Sequence, residues 1–272
     1  MSSLALYRKY RPTTFAEVTG QEHVVRTLLS ALRSNAVSHA YLFAGPRGTG
    51  KTTLARLLAK SVNCEKPKKD GEPCNECSSC KDIMANRAMD VVEIDAASNR
   101  GIDEIRDIKE GTKFLPAKLK YKIYIIDEAH QLSKDAFNAL LKTLEEPPAH
   151  AIFILATTEP QKMLATIVSR TQHFDFRKLR VSEITDRLKG LAKKENVKVD
   201  EDALILIAHG GRGSVRDAEG LLDKVLTSSL GSDTTRITLE YVKEVLGIAD
   251  TAGIAEFVGL LLEKKPGEGV QK

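Results

Sequence analysis

Short apolar runs alternate with amphipathic segments along the first two thirds of the chain. Five of the runs have the length of buried β-strands and lie at 39–44, 89–94, 122–126, 151–156 and 172–176. Helices are predicted in the gaps between them, at about 102–111, 133–145 and 161–168. Because strands that alternate with helices usually form a parallel sheet covered on both faces, the pattern predicts an α/β fold with a parallel five-stranded sheet.

The pattern changes at about residue 178, and from there on it predicts helices only. Ser182 is placed to cap the first of these helices, and Ala203, Leu204 and Ile207 share one face of the next. Two further helices are expected, at 214–226 and 238–246. Three to four helices indicate a second, smaller domain, and two domains are what a chain of 272 residues leads us to expect.

The turn after the first predicted strand carries a phosphate-binding motif. It reads Gly45-Pro46-Arg47-Gly48-Thr49-Gly50-Lys51-Thr52-Thr53 and precedes a segment with apolar residues at helical spacing. A strand, a glycine-rich turn and a helix in this order are typical of a P-loop. The glycines allow backbone N–H groups to approach phosphate oxygens, Lys51 should reach the β- and γ-phosphates, and Thr52 should ligate Mg²⁺.

A pair of carboxylates follows the third predicted strand. The run 122–126 ends in Asp127-Glu128-Ala129-His130, which places Asp127 and Glu128 at the carboxyl end of a strand, where ligands bind in open α/β sheets. We expect Asp127 to hold Mg²⁺, directly or through water, and Glu128 to polarise the water that attacks the γ-phosphate. His130 is expected to orient the loop or to face solvent.

The four cysteines of the chain lie close together between residues 64 and 80, at Cys64, Cys74, Cys77 and Cys80. A chain inside the cell is not expected to use such a cluster for disulfides. Four thiolates at this spacing suit tetrahedral zinc with no open coordination position, which predicts a structural zinc site. Reduced free thiols or an iron–sulfur cluster are the alternatives.

Composition and charge exclude some classes of protein and leave others open. With 42% hydrophobic and 29% charged residues, the chain can bury a core and is not expected to be disordered. It has neither a signal-peptide pattern nor an apolar run long enough to span a membrane, so we expect a cytoplasmic protein without a membrane partner. A net charge of +4 tolerates nucleic acid as a partner, whereas 5% aromatic residues and no Trp argue against base-stacking platforms.

Further short motifs lie in a fixed order over roughly residues 4 to 230. They are Tyr7-Arg8-Lys9-Tyr10-Arg11-Pro12, Val18-Thr19-Gly20-Gln21, Leu144-Glu145-Glu146-Pro147-Pro148, Leu155-Ala156-Thr157-Thr158, Ser169-Arg170 and Gly213-Ser214-Val215-Arg216-Asp217. Together with the P-loop and the cysteines, they make the chain resemble the gamma/tau family of bacterial DNA polymerase III, the AAA+ ATPases of the sliding-clamp loader. The resemblance implies an AAA+ P-loop NTPase with a parallel five-stranded sheet, a zinc-binding insertion and a small all-helical lid domain.

The resemblance also implies roles for single residues. Tyr7, Arg11 and Val18 lie in the segments that line the adenine pocket of the family. Thr158 has the position of sensor 1, Arg170 that of an arginine finger acting in trans, and Arg216 that of sensor 2. Thr171 stands where the finger motif of the family has a cysteine, which puts the packing around Arg170 in doubt. Without the resemblance, Thr158 would be read as a β-former at a strand end and Arg170 as a surface charge.

The domain organisation implied by the resemblance has three parts. Residues 1–177 form the nucleotide-binding domain with the zinc module inserted at about 64–80, residues 178–247 form the lid, and residues 248–272 begin a collar domain that is cut short. We therefore expect a fragment of a longer protein that does not form a stable pentamer alone.

The function implied by the resemblance is that of a motor that uses ATP, magnesium and zinc. Its expected partners are the delta and delta-prime subunits, further gamma/tau copies, the sliding clamp, and primed DNA held through its phosphate backbone. A non-hydrolysing structural subunit of the same loader is the alternative. A helicase would need a second motor domain, and a zinc-dependent nucleic-acid module would need more basic and aromatic residues near the cysteines.

Overall fold

The computed structural model describes residues 4–99, 101–229 and 236–248, which form two compact units. The first, which we call the sheet unit, consists of Tyr10–Arg180 and Gly213–Val215. The second, the helical unit, contains residues 4–9, Val181–Arg212 and the described residues from Arg216 onward. The expected start of a collar domain falls on 248–272, of which all but Ile248 lie outside the described residues.

The strands are, in chain order, β1 (Ala40–Ala44), β2 (Val91–Asp95), β3 (Lys122–Asp127), β4 (Ala151–Thr157), β5 (Gln172–Asp175), β6 (Lys198–Val199) and β7 (Arg236–Ile237). The α-helices are α1 (Leu6–Lys9), α2 (Glu22–Arg33), α3 (Lys51–Val62), α4 (Ser78–Met84), α5 (Ile102–Thr112), α6 (Lys134–Glu145), α7 (Ala165–Val168), α8 (Val181–Lys194), α9 (Glu201–Gly210), α10 (Val215–Ser229) and α11 (Leu239–Leu246). Short 3₁₀ helices lie at Phe15–Glu17, Ala129–Gln131 and Pro160–Lys162. No helix among the described residues is long and apolar enough to cross a membrane.

The sheet unit is built on a parallel five-stranded sheet with the strand order β2-β3-β4-β1-β5. Every residue of β1 and β4 is buried, as expected for central parallel strands covered on both faces. Alternate side chains enter two separate cores, so that Tyr41 and Phe43 pack on the side of α2 and α3 while Leu42 packs on the side of α5 and α6. The predicted α/β fold is confirmed.

The prediction of one helix over 161–168 is wrong, because the helix is not continuous in the structure. The segment 161–168 consists of the 3₁₀ helix Pro160–Lys162 and the single turn α7. Between them Met163 (φ −74°, ψ 141°) and Leu164 (φ −66°, ψ 134°) have extended backbone. Met163 and Ile167 are both buried in the core on the side of α5 and α6. Residues four apart would also share one face of a continuous helix, so their spacing could not reveal the break.

The helical unit contains α8, α9 and α11, with α8 packed on α9 and α9 on α11. An ion pair inside this unit joins Arg187 Nε to Glu219 Oε1 at 2.8 Å, and both side chains are largely buried. The predicted helical second unit is confirmed, and it also contains the two-residue parallel pair β6 and β7.

Candidate nucleotide site and cysteine cluster

The P-loop connects the end of β1 to the start of α3 in a conformation that depends on glycine. Gly45 (φ 147°), Gly48 (φ 73°) and Gly50 (φ 103°) all have positive φ. A Cβ atom on Gly45 would lie 2.3 Å from the carbonyl oxygen of Phe176, so no larger residue fits there. The N-terminus of α3 adds its free N–H groups and partial positive charge to the loop, which together suit an anionic phosphate.

Lys51, the first residue of α3, is held against the P-loop. Its Nζ donates hydrogen bonds to the carbonyl oxygens of Gly45 (2.7 Å) and Pro46 (2.9 Å), and only 6% of the residue is exposed. Burial lowers the pKa of Lys51, and the charges of Glu128 and Asp127 oppose this shift. The lysine therefore lies within electrostatic reach of both carboxylates at the end of β3.

Thr52 and Asp127 form the contact between α3 and β3. The hydroxyl of Thr52 donates to Oδ2 of Asp127 at 2.7 Å, and the backbone N–H of Glu128 donates to Oδ1 at 3.0 Å. The hydrogen bond from the N–H of Glu128 orients the carboxylate of Asp127 toward α3. A hydroxyl and a carboxylate oxygen side by side are ligands that Mg²⁺ accepts beside nucleotide phosphates, so the donor set fits this ion.

The position of Glu128 is set by its left-handed backbone conformation and by a hydrogen bond from a hydroxyl just after the neighbouring strand β4. Its φ of 48° lies in the left-handed region, which directs the chain into the 3₁₀ helix Ala129–Gln131. Its Oε2 accepts a hydrogen bond of 2.8 Å from the hydroxyl of Thr158, the residue after β4. The structure thus brings together Glu128 and Thr158, which the sequence separates by 30 positions.

His130 is buried among the loops at this edge of the sheet, with 6% of its side chain exposed. Its Nδ1 lies 3.0 Å from the hydroxyl of Thr157 and 3.5 Å from Oε2 of Glu128, and its Nε2 lies 3.2 Å from Oε1 of Glu159. The hydrogen bond and charge of Lys162, with a smaller contribution from His130, lower the pKa of Glu159. Of the two expected positions for His130, the structure favours the one that orients the loop.

Sequence reasoning gave no role to Gln21, which is fully buried beside the P-loop. Its Nε2 donates to the carbonyl oxygens of Arg177 (2.8 Å) and Thr49 (3.4 Å), and its Oε1 accepts from the N–H of Arg177 at 3.3 Å. Gln21 therefore ties the P-loop to the segment after β5. Its place in the motif Val18-Thr19-Gly20-Gln21 was a signal, but the motif did not show what the side chain contacts.

The residues expected around the adenine fall into both units. Val18 is half-buried against the core of the sheet unit, and Arg11 is half-buried in the same unit. Within the helical unit, the guanidinium of Arg216 lies 4.8 Å from the ring centre of Tyr7. A hydrogen bond with Arg216, and one with Arg8, lower the pKa of Tyr7. The adenine-pocket and sensor 2 roles stay predictions.

Arg170 lies between α7 and β5 and is tied to residues nearby. Its Nη2 pairs with Oε1 of Glu145 at 2.7 Å, and its Nη1 donates to the carbonyl oxygen of Thr166 at 2.8 Å. A third of its side chain (33%) is exposed. None of the contacts found among the described residues joins Arg170 to the P-loop, so the trans-acting role stays a prediction.

The four cysteine sulfurs lie within 4.8 Å of one another, and those of Cys74 and Cys80 are 3.9 Å apart. Tetrahedral zinc with Zn–S bonds of about 2.3 Å places its sulfurs about 3.8 Å apart, so the arrangement fits this ion. Backbone N–H groups donate to Sγ of Cys64, Cys74 and Cys77 at 3.3–3.5 Å. Such bonds lower the pKa of Cys74 to about 6, whereas burial raises the pKa of Cys64 and of Cys80.

Two buried charged residues attach the cysteine segment to the sheet unit. Nζ of Lys60, on α3, donates to Oδ1 of Asn75 at 2.6 Å and to the carbonyl oxygen of Thr13. The carboxylate of Glu72 accepts from the backbone N–H groups of Phe15 and Ala16, both at 2.8 Å. The cysteine segment is therefore held against the rest of the sheet unit by buried hydrogen bonds.

The sheet order, the P-loop after β1 and the Asp127-Glu128 pair at the carboxyl end of β3 define the AAA+ class of P-loop nucleotide-binding folds. Solved structures agree with this, since the Thermotoga maritima RuvB Holliday junction branch migration motor matches with a TM-score of 0.65. That match covers 92% of this chain and 79% of the RuvB chain at 22% sequence identity, which shows a shared fold only.

Two family models assign the chain within this class. Residues 20–180 match the model described as DNA polymerase III, delta subunit, and residues 183–231 match that of the clamp-loader ATPase lid domain. The chain belongs to the DNA polymerase III clamp-loader family, and within it the chain is similar to the gamma/tau subunits.

The curated relatives are longer than this chain. DNA polymerase III subunit tau of Bacillus subtilis is 55% identical over 229 residues, which cover 84% of this chain and 40% of the relative. Subunit tau of Escherichia coli is 43% identical over 263 residues, covering 97% of this chain and 40% of the relative. Subunit gamma/tau of Mycobacterium bovis is 45% identical over 260 residues, covering 95% and 44%. The chain thus spans less than half the length of these relatives.

Proposed function

We propose that this chain is the ATPase motor part of a DNA polymerase III clamp-loader subunit. ATP binding drives opening of the sliding clamp and its loading onto primed DNA, and hydrolysis releases it. The observation that supports the proposal is the set of polar contacts at the carboxyl end of the sheet. Thr52 contacts Asp127 at 2.7 Å, Thr158 contacts Glu128 at 2.8 Å, and Lys51 lies on the P-loop.

Nucleotide binding is assigned to the P-loop and its helix. The backbone N–H groups of Gly45–Thr52 surround the phosphates, and Lys51 exchanges its two carbonyl contacts for the β- and γ-phosphate oxygens. Thr52 and Asp127 hold magnesium, which neutralises charge on the β- and γ-phosphates. Arg47, Thr49 and Thr53 complete the phosphate-binding segment, and Tyr7, Arg11 and Val18 contact the base.

Hydrolysis is assigned to Glu128, which orients and polarises the attacking water. Phosphoryl transfer depends on positioning and charge compensation more than on covalent catalysis by the protein. The orientation of the Glu128 carboxylate is therefore the main requirement. The hydroxyl of Thr158 donates to one oxygen of Glu128, and its proposed role as sensor 1 is to detect the γ-phosphate. His130 positions the loop by contacts with Thr157 and Glu159.

Two arginines are proposed to couple the site to its surroundings. Arg170 acts in trans on the nucleotide of a neighbouring subunit, which requires it to leave its pair with Glu145. That pair is partly exposed, so its rupture costs little, about 1 kcal/mol or less. Arg216 acts as sensor 2 from the lid.

The four cysteines are proposed to hold a structural zinc ion that closes the insertion at 64–80. All four coordination positions are taken by sulfur, so zinc supplies no catalytic chemistry there. The proposed domain bounds are 1–177 for nucleotide binding, 178–247 for the lid and 248–272 for the start of a collar domain. The proposed partners are the delta and delta-prime subunits, further gamma/tau copies, the clamp and primed DNA.

The proposal is tested by steady-state ATP hydrolysis at increasing protein concentration, with and without the other loader subunits. We expect a rate per molecule that rises as subunits assemble and is lost in Arg170→Ala. Arg106→Ala is the matched control, because Arg106 is an exposed arginine that is likewise paired with a carboxylate, that of Asp103. A rate untouched by Arg170→Ala would contradict the trans-acting finger.

The same assay separates the motor from a non-hydrolysing structural subunit. Glu128→Gln should retain ATP affinity and lose turnover, because the amide cannot polarise water as a carboxylate does. If a loader assembled from a longer, collar-containing form of this subunit binds ATP at the P-loop but shows no turnover, the structural-subunit alternative is correct. Absent turnover from this chain alone would mean that the collar and the partner subunits are needed to build the site.

A further inference from the structure

The stretch of chain that leads to Val18 contains a short helix that has no cap of its own. We call residues 13–18 the base segment, because Val18 is proposed to contact the base. Its 3₁₀ helix, Phe15–Glu17, begins after Thr14, whose side chain makes no capping hydrogen bond. The helix ends at Val18, whose N–H donates to the carbonyl oxygen of Phe15 at 3.1 Å. So short a helix satisfies few of its own N–H groups, and its orientation therefore depends on contacts from elsewhere in the chain.

Glu72, which lies in the cysteine segment, supplies the missing cap. Its Oε2 accepts a hydrogen bond from the N–H of Phe15, and its Oε1 accepts one from the N–H of Ala16, both at 2.8 Å. Only 5% of Glu72 is exposed. Burial of a carboxylate is costly unless its oxygens are hydrogen-bonded, and bonds to an ionised acceptor are among the stronger ones. Because each oxygen holds one N–H group, the carboxylate sets both the position and the orientation of the start of the helix.

The side chain of Glu72 is presented to the base segment by a tight turn of the cysteine segment. The N–H of Glu72 donates to Oδ1 of Asp70 at 3.1 Å, and its carbonyl oxygen accepts from the N–H of Lys68 at 2.9 Å. Gly71 in this turn has a φ of 89°, and a Cβ atom there would lie 3.3 Å from the carbonyl oxygen of Leu29 on α2. The turn therefore packs closely against α2, and the backbone that carries the carboxylate is itself held in place.

A second buried contact joins the same two segments. Nζ of Lys60, on α3, donates to the carbonyl oxygen of Thr13 in the base segment and to Oδ1 of Asn75, which follows Cys74. Only 2% of Lys60 is exposed. Since α3 begins at the P-loop, this one side chain links the phosphate-binding helix, the cysteine segment and the base segment. Glu72 and Lys60 thus hold the base segment at two points.

The chain just after Val18 is tied to the P-loop. Gln21 donates to the carbonyl oxygen of Thr49 at 3.4 Å and to that of Arg177 at 2.8 Å. Val18 therefore lies between two fixed points, the helix capped by Glu72 and the contact of Gln21 with the P-loop. Affinity depends on how far a binding contact is preorganised before the ligand arrives, so loss of the Glu72 cap should be felt at Val18.

We propose, on the basis of the function proposed above, that Glu72 is a positioning residue through which the cysteine segment sets the affinity for the base of the nucleotide. The cysteine segment then contributes to base binding without touching the nucleotide. Base binding in return stabilises the cysteine segment, because a coupling free energy between two sites is reciprocal. The phosphates are held by the N–H groups of the P-loop and should be little affected by Glu72.

The test compares calorimetric titrations with ADP and with inorganic pyrophosphate, both in the presence of magnesium. ADP carries a base and two phosphates, whereas pyrophosphate has the phosphates alone. In Glu72→Gln the amide oxygen replaces one carboxylate oxygen, but the NH₂ group then faces the other N–H donor. We expect ADP affinity to fall about tenfold and pyrophosphate affinity to change less than about twofold. Equal changes in the two affinities would overturn the positioning role, because a variant that is only partly folded loses affinity for both ligands alike.

Asp90→Asn is the matched control. Asp90 is likewise a buried carboxylate, and it accepts backbone N–H bonds from Ala117, Lys118 and Leu119. It immediately precedes β2, the edge strand, which β3 and β4 separate from the strand that leads into the P-loop. The ratio of ADP affinity to pyrophosphate affinity should therefore equal that of the wild type. If Asp90→Asn lowers this ratio as much as Glu72→Gln does, the effect is a general loosening of the sheet unit and the role of Glu72 is wrong.

The wild-type titrations distinguish failure of this role from failure of the proposed function. If the wild type binds ADP no more tightly than pyrophosphate, the base contributes nothing, and the base contact proposed for Val18 fails together with the role of Glu72. If the wild type prefers ADP and Glu72→Gln retains the full preference, only the role of Glu72 is wrong.

Hydrogen exchange followed by mass spectrometry gives a readout without any ligand. The amides of the base segment should exchange faster in Glu72→Gln than in the wild type, because two of them lose a charged acceptor. The amides of α6, which Glu72 does not contact, should exchange at the wild-type rate. Unchanged exchange in the base segment would overturn the proposed positioning by Glu72.

Discussion

Asp90, the residue immediately before β2, is expected to contribute strongly to the stability of the sheet unit. Only 3% of the residue is exposed, and its carboxylate accepts three backbone hydrogen bonds from the segment that leads into β3. Oδ1 accepts from Ala117 at 2.8 Å, and Oδ2 accepts from Lys118 and Leu119 at 2.8 and 2.9 Å. Burial opposes ionisation, but these three bonds and the charge of Lys122 outweigh it and lower the pKa of Asp90.

The cost of Asp90→Asn follows from this geometry. With its amide oxygen in the place of Oδ2, the asparagine retains the bonds to Lys118 and Leu119 and turns its NH₂ group toward the N–H of Ala117. The partly buried N–H of Ala117 then loses its acceptor and the charge assistance is lost, so we expect a loss of about 2 kcal/mol in the free energy of unfolding. Asp90→Ala removes the acceptor of all three donors, of which the N–H of Leu119 is buried, and should cost about 3–4 kcal/mol.

The assay is urea unfolding followed by circular dichroism, with Asp103→Asn as the control. Asp103 is also paired, with Arg106, but 85% of its side chain is exposed, so its change should cost less than about 0.5 kcal/mol. Because the pKa of Asp90 is lowered in the folded chain, its stabilisation is full above the pKa of the unfolded chain, about 3.9, and is lost as the pH falls through the folded value. The difference between wild type and Asp90→Asn should therefore shrink in acid. A loss below about 0.5 kcal/mol at pH 7 would refute the reasoning.

Three further predictions concern the nucleotide site and the cysteines. Gly45→Ala should abolish ADP binding in calorimetry, because its Cβ would lie 2.3 Å from a carbonyl oxygen, whereas Gly190→Ala, whose Cβ meets nothing within 4 Å, should leave binding intact. Gln21→Leu should lower the free energy of unfolding in urea by about 2–3 kcal/mol, since it leaves buried backbone groups unpaired. It should also weaken ADP binding, and an unchanged ADP affinity would contradict the role of Gln21 beside the P-loop. Removal of metal by a chelator should lower the melting temperature of the wild type but not of Cys74→Ser, whose melting temperature is already low, and metal analysis should find one zinc ion per wild-type chain.

The parts of the site that the sequence predicted depend on contiguous residues. The P-loop motif specifies its own backbone, because three glycines within six positions make a conformation with positive φ available. The Asp127-Glu128 pair and the cysteine spacing are likewise local patterns. The strands were predicted for a related reason, since a fully buried parallel strand is a continuous apolar run.

Residues whose partners are distant in the chain could not be found in this way. Gln21 bonds to a backbone 156 positions away, and Glu72 caps a 3₁₀ helix 57 positions before it. The sequence around Glu72 does not distinguish it from an exposed polar residue, and the motif that contains Gln21 does not reveal its distant partner. His130 shows the intermediate case, in which the motif was visible but its burial against Thr157 and Glu159 was not.

The class of fold, the phosphate-binding loop, the carboxylates and the cluster of four cysteines can all be predicted from the sequence, because each is encoded by periodicity or short spacing. Three-dimensional packing, by contrast, brings Thr158 to the carboxylate of Glu128 and Asp90 to the backbone N–H groups that precede β3. These arrangements depend on strand order and on the packing of α2 and α3 against the sheet. A hydrogen bond or an electrostatic field acts over a few ångströms in space, and distance along the chain carries no information about it.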